Sequence, residues 1–254
     1  MSNDIIVIAD TQVKKGSDLS HLEALSVYIW EHKPAHIVHI GDNWDFPSLS
    51  YYAPPLKKEG KRLIDDLHSG KEALELIMHY SRERVVKAKG KANYSPELHF
   101  CEGNHEQRLK RFIDNTPQLV GMIDLPEIIE DQGWTFHDFL KPVEIDGVVF
   151  RHYLVNPQSG KALGGSIDNK LNKTPYSFVH GHQQQFQMGR RQNTLGKPHF
   201  GVCAGSFYME DEGYRGYENT EIRGFVHLKN FTNRYGYSDY DVEFVSLERL
   251  LEDY

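Results

Sequence analysis

Strand-length apolar runs alternate with helical periodicities from Ile5 to His180, and most of the runs end in polar clusters. Ile5-Ile6-Val7-Ile8-Ala9 and Ile37-Val38-His39-Ile40 have the pattern of strands covered on both faces. Between them Leu19, Leu22, Leu25 and Ile29 recur at helical spacing, with Ser17 or Asp18 as cap and Pro34 as stop. Strand, helix, strand at this spacing is a βαβ unit, so the two strands are expected to be parallel. Both then deliver their acidic tips, Asp10 and Asp42, to the same edge.

From Phe46 to Tyr94 the pattern predicts an irregular, Pro-containing loop and then a helix over roughly Leu63 to Lys87. Gly70 inside that helix costs about 1 kcal/mol relative to Ala and marks a bend or break. Glu97 to Cys101 is a third strand, followed by a helix carrying Leu109, Phe112 and Ile113. Short helices opened by Pro117 and Pro126 are expected next. Trp134 to Phe139 and Val143 to His152 read as strands, with Asp146-Gly147 as a hairpin turn. Ser159 to Gly165 is a Gly-rich loop, and Ser177 to Val179 a further strand. Phe186 to Tyr254 reads as mostly β, closed by a helix near Leu247 to Leu251. No repeat, low-complexity tract or linker divides the chain, so one domain over 1–254 is expected, with a helical insertion at about 46–94.

Composition narrows the class. A chain of 254 residues with 39% hydrophobic and 12% aromatic content can supply a full α/β core. The formal charge of −7 argues against broad nucleic-acid coating, though not against a local basic groove. Cys101 and Cys203 make no disulfide framework, and no run approaches a membrane span, so a cytoplasmic protein is expected. None of the Gly-Lys pairs makes a phosphate-binding loop, and there is no Gly-x-Ser-x-Gly or His-Glu-x-x-His.

Five polar clusters follow strand ends: Asp10/Gln12, Asp42/Asp45, Asn104/His105, His152 and His182/Gln184. One such cluster is ordinarily a cap or a satisfied core residue; five in order are a constellation. The series Asp-x-Gln, Gly-Asp-x-x-Asp, Gly-Asn-His-Glu, a lone His and Gly-His-x-Gln resembles the calcineurin-like metallophosphoesterases, over about seven-tenths of the chain. That family carries Asp-x-His and Gly-His-x-His where Gln12 and Gln184 stand here.

The resemblance implies an α/β fold, a four-layer αββα sandwich of two mixed β-sheets flanked by helices, in a small member of the bacterial or phage type. It implies two divalent cations bridged by Asp42, the second held also by Asn104, His152 and His182, the first by Asp10, Gln12 and Gln184. His105 then acts at the phosphate without binding metal, oriented by Asp45. Two glutamines make the first site all-oxygen, weaker, and suited to Mn, the favoured ion, or to Mg or Ca; Fe and Zn are alternatives for the pair. The opposing reading is a decayed first site, and Gln183 is an alternative to Gln184.

The implied reaction is hydrolysis of a phosphate ester by a metal-activated water. A phosphodiester of a nucleic acid or nucleotide is favoured, because Tyr51 and Tyr52 lie near the mouth and Arg190-Arg191 follow Gln184. Lys57, Lys58, Lys61, Arg62, Arg82, Arg84, Lys87, Lys89 and Lys91 flank the long helix, either as a solvated surface or as a phosphate-contacting arm. Tyr208, Tyr214 and Tyr217 either pack on the sheet or line the pocket. A phosphomonoesterase acting on a nucleotide or phosphoprotein, and a non-catalytic scaffold, are the alternatives.

Overall fold

The structure, a computed structural model, describes residues 3–51, 54–89, 91, 93–193, 196–210, 221–234 and 237–254. The first half holds β1 (Ile5–Ile8), α1 (Ser20–His32), β2 (His36–His39), α2 (Pro55–Lys58), α3 (Leu63–Lys87), β3 (Glu97–Cys101), α4 (Glu106–Asp114) and α5 (Leu125–Glu130). Then come β4 (Thr135–His137), β5 (Val143–Ile145), β6 (Val148–Arg151), α6 (Ile167–Lys173) and β7 (Ser177–His180). The chain closes with β8 (Phe186–Gln192), β9 (Pro198–Ala204), β10 (Gly224–Arg234), β11 (Tyr237–Ser246) and α7 (Leu247–Asp253).

Two mixed sheets result. One runs β11-β10-β1-β2-β3-β4, the other β5-β6-β7-β9-β8. β1 to β4 are mutually parallel, as the βαβ pattern predicts, and β10 joins β1 antiparallel. In the second sheet β6, β7 and β9 are parallel, with β5 and β8 as antiparallel edges.

The continuous apolar run of β1 is explained by its two covered faces. Ile5 and Val7 meet Val143, Phe150, Val179 and Val202 in a core between the sheets. Ile6 and Ile8 point the other way, into a core shared with Leu22, Leu25 and Ile29 of α1, Leu74 and Ile77 of α3, and Leu250 of α7. A third, smaller core lies on the far face of the second sheet, where Ile167 and Leu171 of α6 cover Phe178. Helices, sheet, sheet, helix: the expected four layers are the ones observed.

Three local outcomes differ from the sequence reading. Gly70 neither bends nor breaks α3, which runs unbroken through it. A Cβ there would lie 1.8 Å from Trp44 Nε1, so the residue is glycine to seat a fully buried indole. α3 itself supplies Ala73, Leu74, Ile77 and Met78 to the helix-side core, so this part of the expected insertion is packed into the sandwich. α6 was hidden in the sequence by its polar composition, Ile-Asp-Asn-Lys-Leu-Asn-Lys, but Ser166 caps it by accepting from the Asn169 N–H.

Candidate metal centre

Because β1, β2 and β3 are parallel neighbours, the loops that leave them all emerge at one edge. The loops after β6 and β7 reach the same place: the Gly181 N–H donates to the His152 carbonyl, and the His182 N–H to Asp10 Oδ1 at 3.1 Å. Asp10, Asp42, His105, His152 and Gln184 are all buried there.

The backbone at this edge is bent out of its ordinary range. Asp10, Gln12, Asp42, His182 and Gln184 all have positive φ, between 44° and 67°. For L-residues that conformation costs about 1–2 kcal/mol each, and such residues concentrate at functional sites. Two glycines permit the close approach. A Cβ on Gly103 would stand 2.3 Å from Asp42 Oδ1, and one on Gly181 2.7 Å from Asp10 Oδ1.

Around Asp42 the packing is dense. Its Oδ1 accepts from the His105 N–H at 2.8 Å, and its Oδ2 faces His152 Nε2 at 3.4 Å and His105 Nε2 at 3.9 Å. His152 Nδ1 lies 2.9 Å from the Ile40 carbonyl and must donate to it, which fixes the tautomer. Nε2 then confronts Asn104 Oδ1 at 2.9 Å and Asp42 Oδ2, two oxygens that carry no proton. A proton on that nitrogen, or a cation among the three atoms, satisfies the arrangement. Ligand atoms of Asp42, His152 and His182 lie within 4.8 Å of one another, so the residues present fit a metal ion.

The charges tell the same story. Burial alone would raise the Asp42 carboxyl, but the His152 and His105 imidazoles hold it far below the usual carboxylate range. His152 is raised to about 9, against the effect of burial, chiefly by the Asp42 charge. Asp10 is pushed up to about 6 by burial and by Asp42 beside it. Its Oδ2, like Gln12 Oε1, is buried without a hydrogen-bond donor, and a cation between them would satisfy both.

Gln184 is arranged differently from the expectation. Its Oε1 accepts from the Tyr208 hydroxyl at 3.0 Å, and its side chain also hydrogen-bonds Asp10. With its oxygen on Tyr208 and, since a carboxylate only accepts, its –NH2 on Asp10, the amide must turn over before its oxygen can join Asp10 at a cation. Gln183, the alternative to Gln184, accepts from Lys170 Nζ.

His105 sits between Asp45, whose Oδ1 is 3.4 Å from Nδ1, and Arg108, whose Nη2 is 2.8 Å from Nε2. A guanidinium only donates, so Nε2 accepts and Nδ1 carries the proton toward Asp45. Burial and Arg108 oppose protonation, but Asp42 and the Asp45 contact outweigh them and leave His105 above its ordinary pKa.

Several residues of this centre escaped the sequence reading. Glu106 is fully buried, and its carboxylate accepts from the backbone N–H groups of Asp42, Gly103 and Trp44 at 2.9, 2.9 and 3.1 Å. It ties the Asp42 loop to the Asn104 loop; its place as the last residue of Gly-Asn-His-Glu was the available signal. Arg108 holds both His105 and the Asp45 carbonyl, the latter at 2.5 Å. Behind Asp42, Thr11 Oγ1 donates to Asn43 Oδ1 at 2.9 Å and lies 3.1 Å from His39 Nε2, while the Gly41 N–H donates to His39 Nδ1.

Arg190 is bound to Asp239 and the Tyr240 carbonyl and lies over Phe200, so it is a β8–β11 tether and does not face the centre. Its partner in register is Phe200, four residues down β9 from Ala204, roughly 13 Å from the edge where the loops meet. Arg191 is exposed next along β8, and Tyr51 is 68% exposed on the loop after Asp45. Tyr52, Tyr214 and Tyr217 lie outside the described residues. Arg82 donates to the Gln132 carbonyl, Arg84 lies over Tyr80, and Lys87 pairs with Glu83, as a solvated surface would have it. Cys101 is inert core, its thiol pushed up to about 12 by burial, and His180 packs on Phe178. No helix among the described residues is long and apolar enough to cross a membrane.

No family model matches the sequence. The Gene 54 protein of Mycobacterium phage L5 is 29% identical over 140 residues, 53% of this chain and 49% of that protein. The Gene 54 protein of Mycobacterium phage D29 is 31% identical over 126 residues, 49% of this chain and 44% of that protein. The chain thus spans about half the length of the curated relatives it matches. Among solved structures it is similar to a dimetal phosphatase from Danio rerio (TM-score 0.48, 11% identity, 97% of each chain covered). It is similar also to Yfce, a phosphoesterase from E. coli (0.41, 12%, 89% of this chain and 88% of that one), and to the Pseudomonas putida nuclease MPE (0.37, 10%, 89% and 84%).

Proposed function

We propose that the chain is a metal-dependent phosphoesterase, with a phosphodiester of a nucleic acid or nucleotide as its preferred substrate. The observation that carries the reading is the convergence on Asp42: two imidazoles, an amide oxygen and a second carboxylate meet around one buried carboxylate. Asp42, Asn104, His152 and His182 would hold one divalent cation; Asp10, Asp42, Gln12 and, once its amide turns, Gln184 would hold a weaker one. Mn is the ion that suits both halves. When bound, such a pair polarises a phosphoryl oxygen and lowers the pKa of water beside it.

The remaining work falls to the chain. His105, its pKa raised by Asp42 and by the Asp45 contact, would donate a hydrogen bond or a proton to the departing oxygen once Arg108 releases Nε2. Asp45 fixes which nitrogen faces Asp42 and Arg108. Arg108, at the rim, can move its donors from His105 to a phosphoryl oxygen. Tyr51, exposed on the loop leaving Asp45, supplies a ring on which a base can stack. The whole of 1–254 acts as one unit in this reading, in the cytoplasm of a bacterium or of an infected host.

The test is a panel run with excess Mn: bis-p-nitrophenyl phosphate, p-nitrophenyl phosphate, single-stranded DNA, duplex DNA, RNA and cyclic nucleotides. Preference for the diester and for a nucleic acid is expected, with turnover lost in His105→Ala while bound metal is retained. Preference for the monoester would replace the diester reading with that of a phosphatase. Turnover by neither wild type nor any variant would leave a scaffold.

A further inference from the structure

A second group of metal-ligating side chains lies at the other end of the same strands. His36 and Glu97 are the first residues of β2 and β3 and pair in register, and His99 lies two residues along β3 on the same face. Asp42 and Asn104, by contrast, follow the far ends of these strands.

His36 Nδ1 and His99 Nε2 each stand 3.6 Å from the same oxygen, Glu97 Oε2. That is too long for a hydrogen bond. Both nitrogens are nonetheless buried and have no hydrogen-bond partner. The three ligand atoms lie within 4.8 Å of one another. Ligands held about 2.0–2.1 Å from a tetrahedral Zn ion stand about 3.4 Å apart, close to the spacing found here. His99 has its other nitrogen, Nδ1, 3.3 Å from His137 Nε2, so a neighbour can fix its tautomer with Nε2 turned to the cluster.

We propose that His36, Glu97 and His99 form a further site for a divalent transition-metal ion of the Zn type, oriented by His137 and completed by solvent on the exposed side of Glu97. The ion would clasp β2 to β3 at the start of the two strands. Two neutral imidazoles and one carboxylate suit Zn, Co or Ni over Mg or Ca.

Equilibrium dialysis against Zn, with metal counted per chain, tests this on the full protein. Glu97→Gln is the safest variant because that side chain is 72% exposed; His36→Gln is the second. Both are expected to bind one equivalent fewer than wild type, or to bind it about tenfold or more weakly, with phosphoesterase turnover unchanged. Replacing Zn by Co should give visible absorption that weakens in the same two variants and survives in His105→Ala. Equal numbers of equivalents at equal affinity in wild type and both variants would overturn the site. The count does not depend on turnover, so it stands or falls separately from the phosphoesterase reading.

Discussion

The two halves of the metal centre are built on opposite plans. Around Asp42, His152 and Asn104 the protein supplies nitrogen donors, fixed tautomers and a buried carboxylate, Glu106, that clamps two loops through three backbone N–H groups. Around Asp10 it supplies oxygens only, two of them without a hydrogen-bond donor, and lets Tyr208 occupy the amide oxygen of Gln184. One half is set before an ion arrives. The other must rearrange. This asymmetry arises from two residues, Gln12 and Gln184, and predicts that loss of function will depend steeply on which half is changed.

The largest effect is expected from His105→Ala, which lowers kcat about 10²–10⁴-fold with both ions still bound. Asp42→Asn should lose as much turnover and both ions, because it serves both halves, whereas Asp10→Asn should lose only the weaker ion. Metal counts beside single-turnover rates separate the three. If Asp10→Asn and Asp42→Asn released the same ions, the two halves would not differ as described.

Next in size is Glu106→Gln. One carboxylate oxygen takes the Asp42 and Gly103 N–H groups and the other takes Trp44, so an amide in that place turns its –NH2 toward at least one backbone N–H that needs an acceptor, at about 1–3 kcal/mol for each group left unsatisfied. A fall in turnover of roughly 10–100-fold is expected, the range for residues that orient ligands. Affinity should fall for the ion of the nitrogen-containing half and stay unchanged for the other, measured by titration calorimetry. Glu106 also shows where the sequence stopped being legible. The strand-end motifs could be read because each apolar run is local and each polar tip follows it directly. What Glu106, Arg108, Tyr208 and the Thr11–His39–Asn43 network do depends on partners up to 64 residues away, and no periodicity encodes that. Gly70 was misread for the same reason, since Trp44 comes from another loop. Arg190 was misread because closeness in sequence to Gln184 does not tell which way a strand leaves.

A smaller, opposite effect is expected on the weak half. Tyr208→Phe removes the hydroxyl that holds Gln184 Oε1 and should tighten the weaker ion by severalfold, close to the net worth of one hydrogen bond, about 1 kcal/mol. Gln184→His goes further, giving that half an imidazole and shifting its preference from Mn toward Zn. Competition between the two ions, followed by electron paramagnetic resonance of Mn, checks both.

The smallest effect separates the halves by their supports. Each is braced by a buried histidine: His21, whose Nε2 donates to the Phe207 carbonyl, and His39, whose Nδ1 accepts from Gly41. The Phe207 N–H in turn donates to the Asp10 carbonyl, so His21 supports the oxygen half and His39 the Asp42 loop. Burial depresses both, His21 to about 4 and His39 to about 3. An unfolded histidine titrates near 6.5, so below that pH the unfolded chain takes up protons that the folded chain refuses. Their contribution is therefore complete above about pH 6.5 and is lost as pH falls toward 4 for His21 and toward 3 for His39. Each proton adds about 1.4 kcal/mol per pH unit to the slope. Urea melts between pH 7.5 and 4.5 should show wild-type stability declining with acid, and His21→Asn declining by about one proton less. A protonated His21 adds a charge at an Nδ1 that has no partner, whereas a protonated His39 also surrenders the Gly41 N–H. The oxygen half should accordingly loosen first as the pH drops, releasing its ion before the nitrogen half does; release in the reverse order would mean that the bracing has been assigned to the wrong sides.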